Sequence, residues 1–270
     1  MKKILIVALL LSTFLSAEIR LSNKDALTIA NRIWINEGAG KRKYLVWWNK
    51  GEEFASLGIG HFIWFTKDKP MWFYHAFPNM LKFIIAHGAK PPKWLKPNMY
   101  CIWNNYDEWK MAKRLNTPKM RELTNFLDKT KALQAQFMVY RLNSAYKKLI
   151  DYAPNATMKA KIKRVFNRIL YRKDGSIDPQ GAYCLIDYTN FKGDGTLESE
   201  RYQNTGWGLY QVLEHFDERN PNKYMAFANS TRYILDRLIK VSPPKRNLKR
   251  FRKGWFVRTR TYERYRVKCD

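Results

Sequence analysis

Five residues able to do acid–base chemistry, Glu37, Glu52, Glu53, Ser56 and His61, fall in one short stretch punctuated by Gly38, Gly51, Gly58 and Gly60. Two carboxyl groups facing each other across a cleft, with a hydroxyl beside them to hold a water, make a general acid–base site. Glu37 is the expected acid. Ser22 and Asp25 have capping-box spacing, and Ala26, Leu27, Ala30, Ile33 and Trp34 then recur with helical period. The spacing predicts a helix closed by Gly38, with Glu37 on its apolar face. Poor solvation and the negative end of the helix dipole both disfavour a charged carboxylate there. Glu37 is therefore expected to favour the neutral form that can donate a proton.

The partner group is expected from the segment that follows. Asn49-Lys50-Gly51 is turn chemistry, and Phe54 to Gly60 can run as a short strand in which Gly58 and Gly60 clear space for another backbone or a ligand. In an extended segment Glu52 and Glu53 point to opposite faces, so only one of them can face Glu37. Glu52 is favoured because it shares a face with Phe54, Ser56, Gly58 and Gly60. It is expected to stay ionised, balancing developing positive charge or activating a water that Ser56 helps to hold. Glu53 and the distant Glu200 remain as alternatives for this second carboxylate. Trp48 and Asn49 adjoin the expected acid and are candidate substrate contacts. His61 is either hydrogen-bonding support beneath the hairpin or a further contact.

Glu37-Gly38 closing a first helix, followed by Ser56-Leu57-Gly58-Ile59-Gly60-His61, resembles the phage-type lysozymes and the wider lysozyme-like superfamily. The resemblance implies Glu37 as the acid, Ser56 in the place of a water-positioning Thr, and Glu52 roughly where an Asp is expected. Two departures are plain. Glu37 and Ser56 are nineteen positions apart, a longer spacing than the family's, and the residue six before Ser56 is Lys50 and not Asp. Two fainter resemblances lie later. Ala182 to Gly193 is similar to the apolar helix that ends in an aromatic, Asn and Gly region in the helical lobe of phage-type lysozymes. Gly208-Leu209-Tyr210-Gln211 is similar to the Gly-Leu-x-Gln segment of soluble lytic transglycosylases, and Trp207 and Gln211 are expected to line the groove from the helical side.

The elements that must position these groups are mostly helical, which gives an α+β chain with one small hairpin beside the first helix and a larger helical lobe. Helices are expected over Met71 to His87 with an interruption near Pro78, from Thr117-Pro118 onward, over Ala132 to Ile150, over Lys159 to Tyr171, after Asp178-Pro179, and over Asn229 to Lys240. Pro91-Pro92 and Pro97 mark a loop. The aromatic series Trp94, Tyr100, Trp103, Tyr106 and Trp109 either closes a core or offers a sugar-stacking surface. Three parts follow: residues 1–17 as a leader, 18–242 as the lysozyme-like domain, and 243–270 as a basic, aromatic tail expected to be a strand or a partly extended arm.

Met1 to Ala17 has two lysines, an apolar run from Ile4 to Leu11 and small residues at Ser16 and Ala17. That order reads as a secretory signal peptide cut after Ala17, placing the mature chain in a periplasm or outside the cell. The formal net charge of +27 calls for an anionic partner. In an exported protein the candidates are wall polymer or an anionic lipid surface, met in part through the tail, while export removes the usual reason to choose nucleic acid. Cys101, Cys184 and Cys269 are too few for a disulfide scaffold, and no Cys/His spacing suggests a metal site. Lys192-Gly193-Asp194-Gly195 reads as a turn and not as a calcium loop. No cofactor is expected, and a monomer is.

Together with the resemblance, these residues imply an exported enzyme that cleaves the glycan strand of peptidoglycan, a muramidase-like hydrolysis with Glu37 as general acid. A lytic transglycosylase acting through Glu37 alone is the alternative within that class. A lysozyme-like module that binds glycan without turnover is the alternative outside it, suggested by Lys50 at the expected Asp position.

Overall fold

The computed structural model describes residues 18–67, 69, 74–264 and 267. The leader, Met71 to Phe73 and Cys269 lie outside the described residues.

The first helix, α1 (Asn23–Gly38), starts where the Ser22 hydroxyl accepts the amide of Asp25 at 3.0 Å. It ends on Ala39, which takes the left-handed conformation in place of the expected glycine (φ 51°). Its inner face is Ala26, Ile29, Ala30 and Ile33. Three short antiparallel strands follow, β1 (Val46–Trp47), β2 (Phe54–Leu57) and β3 (Phe62–Phe65), in the order β1-β2-β3. Ser56 pairs with Ile63 on one side and with Trp47 on the other. The β2–β3 turn is held from below by Gln134, a fully buried side chain whose Oε1 accepts the amide of Ile59 at 3.0 Å.

Seven of the remaining helices are α2 (Ala76–Ala86), α3 (Tyr106–Arg114), α4 (Pro118–Lys129), α5 (Lys131–Tyr152), α6 (Ala156–Leu170), α7 (Pro179–Lys192) and α8 (Leu209–His215). A two-stranded pair, β4 (Arg201–Tyr202) and β5 (Thr205–Gly206), precedes α8, and α9 (Lys223–Val241) and α10 (Arg252–Glu263) close the chain. The centre is α7. Asp178 caps it, accepting the amides of Gln180 and Gly181, and every residue from Pro179 to Thr189 is buried. It packs against α1, α5, α6, α8 and α10. Gly181 lets α6 come close, since a Cβ there would lie 1.9 Å from the carbonyl oxygen of Ile169. No helix among the described residues is long and apolar enough to cross a membrane.

The chain is therefore α+β and mostly helical, but several boundaries differ from the sequence expectation. Pro78 sits in the first turn of α2, where its missing amide has no partner to lose, so it does not interrupt the helix. The aromatic series holds a helix, α3, capped by Asn105, and buries Trp103 and Trp109, so closing the core is the main task of those two rings. α9 begins six residues before the expected Asn229, where the Asn222 side chain accepts the amides of Tyr224 and Met225. The largest difference is the tail. Residues 252–263 form neither strand nor arm but α10, which lies along α9 and buries Arg258, Thr259, Thr261 and Tyr262. Cys101 and Cys184 are buried and free.

Candidate active site

Glu37 lies at the end of α1 and keeps 17% of its side-chain surface open. One carboxylate oxygen, Oε1, accepts from Nη2 of Arg258 at 2.8 Å, and Oε2 lies 3.8 Å from Nδ1 of His61. The end of the first helix and the hairpin are thus in contact, as their sequence spacing predicts. The surroundings differ. Helical periodicity predicts apolar neighbours for Glu37, whereas it forms an ion pair with a guanidinium.

Arg258 is shared. Its Nε and Nη2 donate to the two oxygens of Asp187 at 2.8 and 2.7 Å, a bidentate pair that is fully buried on the Asp187 side. Burial alone would lower the guanidinium's pKa, but Asp187 and Glu37 hold it well above its ordinary value. Asp187 also accepts from the Tyr262 hydroxyl and, at 3.2 Å, from Nδ2 of Asn36. The same Asn36 nitrogen donates to the Tyr183 hydroxyl at 2.8 Å, and Tyr183 meets the Thr261 hydroxyl. Three helices, α1, α7 and α10, are locked together by this network, which fixes where Glu37 points.

His61 opens onto a cavity of about 220 Å³. Its walls come from the β2–β3 turn (Gly60, His61, Phe62), the end of α7 (Asn190 to Gly193), the segment before β4 (Ser199, Glu200), and the rings of Tyr202, Trp207 and Trp255. Asn190 ties two of these walls together, donating to the Gly60 carbonyl at 2.9 Å and accepting from Arg141 at 3.1 Å. Tyr202 and Trp207 are neighbours, with ring centroids 4.7 Å apart. Lys192 reaches into the same space over the Trp255 ring, 3.8 Å from its centroid. Burial, with Arg258 adding and Glu37 opposing, pushes the Lys192 amine down to about 7. Burial likewise lowers the pKa of His61, against the pull of Glu37.

The expected site residues separate into three groups. His61 and Trp207 line the cavity, whereas Glu37 is not itself a wall residue and adjoins it through His61, 3.8 Å away. Trp48 does not: it is 1% exposed, and its indole nitrogen donates to the Glu52 carbonyl, so it has no face left for a sugar. Ser56 is buried on the central strand and is not a wall residue of the cavity, and Asn49 spends its amide on Trp47 and Glu52. Gln211 holds a loop instead of lining this cavity, donating to the Gly195 carbonyl at 3.1 Å and accepting from the Gly208 amide at 2.9 Å.

Of the three candidates for the second carboxylate, Glu52 and Glu53 are not cavity residues and Glu200 is. Glu52 is hydrogen-bonded by Asn49 at 3.1 Å; burial raises its pKa and that bond opposes the rise. Glu53 pairs with Lys69 at the surface, 3.2 Å away. Glu200 is the carboxyl in the cavity wall. Its Oε2 accepts the Gly195 amide at 2.6 Å. Burial, then the neighbouring Asp194, push it up to about 7.

Arg258 and Asp187 carried no functional weight in the sequence. Asp187 had a signal, a lone acid inside the apolar run Ala182 to Tyr188; Arg258 had none among the tail's many cations. The chain matches no protein-family model, and no curated protein or solved structure is significantly similar to it.

Proposed function

We propose that this chain is an exported glycosidase that cleaves the glycan strand of peptidoglycan, with a lysozyme-like arrangement of first helix, hairpin and helical lobe. The observation that carries this is the contact of Glu37 with His61 at the edge of a cavity lined by aromatic rings. Aromatic faces stack on sugar rings, and a carboxyl beside them is the group that glycosidic cleavage needs. From the sequence, Glu37 is the general acid. Its ion pair with Arg258 suits it equally to the other half of the reaction, an ionised group balancing an oxocarbenium-like transition state. Either role makes Glu37 indispensable.

Export is part of the proposal. The leader supports it, and a cut after Ala17 leaves Ile19 pinned to α5, where Asn143 accepts its amide at 2.8 Å and donates to its carbonyl at 3.0 Å. The net charge of +27, or +25 once Lys2 and Lys3 leave with the leader, suits an anionic wall polymer.

The test is turnover of purified sacculi. Wild-type protein releases soluble glycan fragments, and Glu37→Gln does not. Fragment mass separates hydrolysis, which adds a water, from the lytic route, which leaves an anhydro end. Binding without release by the wild-type chain contradicts the enzyme and favours a glycan-binding module.

A further inference from the structure

Glu200 sits in the cavity wall on a purpose-built support. Gly193 and Gly195 both take positive φ, at 83° each. A Cβ on Gly193 would fall 1.7 Å from the Glu200 Oε1, and one on Gly195 would fall 2.1 Å from the Gln211 Oε1, so side chains at either position would push those groups away. The loop between them is clamped to the start of α8. Leu209 and Tyr210 donate their amides to the carbonyls of Gly193 and Asp194 at 3.1 and 2.9 Å, and the buried Gln211 ties Gly195 to Gly208. The Gly195 amide, 2.6 Å from its Oε2, ties the carboxyl to this loop.

The end of α7 borders both carboxyls. Lys192 is close enough to Glu37 for their charges to interact, and Gly193 touches Glu200. The two environments are opposite in kind. Glu37 has a guanidinium against it, while Glu200 has Asp194 as its charged neighbour on the same loop. Asp194 is itself committed to charge: against burial, the Thr196 hydroxyl and amide and the Lys148 amine at 3.2 Å hold it below its ordinary range. Arg141 and Lys148 of α5 and Tyr188 of α7 also act on Glu200, and Lys192 and Arg246 line the same cavity.

We propose that Glu200 is the proton donor of the glycan-cleaving reaction and Glu37 its ionised partner, an assignment of roles that rests on the function proposed above. Glu200 gives its proton to the glycosidic oxygen as the bond from that oxygen to the anomeric carbon breaks. The leaving sugar departs as an alcohol, and the positive charge at the anomeric carbon is balanced by the Glu37 carboxylate. Water then adds to that carbon from the side the leaving sugar vacated, its hydroxyl going to carbon and its proton to Glu200, which restores the starting state. Pairs of carboxyls whose surroundings drive them apart divide acid and base roles in this way.

Glu200→Gln keeps the shape and the Gly195 hydrogen bond while removing the proton. On sacculi the variant is expected to lose about 10²–10⁴-fold in turnover. The wild-type rate is expected to fall as pH rises through about 7, and the variant's residual rate to lose that limb. An oligosaccharide glycoside of dinitrophenol needs no proton to depart, so on it the variant is expected to stay within about tenfold of wild type. Equal losses on both substrates, or no loss on either, overturn the assignment. Release from sacculi by the wild type with Glu200→Gln unchanged refutes Glu200 alone, whereas no release by the wild type refutes the glycan-cleaving function and the assignment with it.

Discussion

Arg258 of the last helix donates a 2.8 Å hydrogen bond to Glu37 of the first, across 221 positions of chain. The segment that composition marks as a basic tail therefore completes the candidate site. Arg258→Met removes the cation from a buried carboxylate, Asp187, which among the described residues then keeps its bonds from Tyr262 and Asn36. Breaking such a pair from one side costs about 3–5 kcal/mol. Urea unfolding is expected to show a loss of that order, with Glu37→Gln much less affected because Glu37 is partly open to solvent.

Gly193→Ala tests the support of Glu200 apart from its chemistry. The substitution places a Cβ on the Glu200 Oε1 and imposes positive φ on a side chain. A displacement of about 1 Å at a reacting group can lower turnover on the order of 10²-fold. Steady-state kinetics are expected to show that loss in kcat, with the far-ultraviolet dichroism of the wild type retained.

The pH dependence of stability has a definite sign. Glu200 titrates near 7 in the folded chain against an ordinary glutamate value of 4.5, so between those values the folded chain holds more protons than the unfolded one. Its contribution to stability is full below about 4.5 and is lost as pH rises through about 7. Glu200→Gln carries no such dependence. Relative to wild type it is expected to gain on the order of 3 kcal/mol between about pH 4.5 and 8, read from denaturation midpoints at the two values.

Gln134→Leu tests what holds the hairpin. The side chain accepts the Ile59 amide and donates to the Leu127 carbonyl at 2.7 Å and the Thr130 hydroxyl at 3.0 Å, all of it buried. Leucine leaves the Ile59 amide without its Gln134 partner, at roughly 1–3 kcal/mol, and removes a donor from the Leu127 carbonyl and from the Thr130 hydroxyl, which keeps its bond to the Phe126 carbonyl. Hydrogen exchange at Ile59 and its neighbours is expected to speed up more than exchange in α9.

Much of the fold was legible where a side chain caps a helix, as Ser22 and Asp178 do, or where a proline takes the first helical position, as Pro118 and Pro179 do. Ser22, Thr117-Pro118 and Asp178-Pro179 each announce a start that the structure places within one residue. The proximity of Glu37 to the hairpin was legible for a related reason, since Gly58 and the residues after it form a tight turn of fixed geometry. α10 was hidden because its cations alternate with aromatics, as in a strand, and its helical state comes from burying Thr259 and Tyr262 against α7 and α9. Tertiary packing of that kind overrides a local pattern. Trp48 misled for the opposite reason: its adjacency to the expected acid along the chain does not carry over into space, where it fills the core and not the cavity. Glu200 stood among four candidate carboxyls with nothing local to favour it, because what singles it out is a loop of glycines folded beneath its carboxyl.

The most direct measurement is mass spectrometry of what purified sacculi release on incubation with wild-type protein and with Glu37→Gln at equal concentration. Disaccharide-peptide fragments are expected from the wild type, with a fall of at least about 10²-fold in the variant. Equal release by the two proteins, or none by the wild type, contradicts glycan cleavage through Glu37.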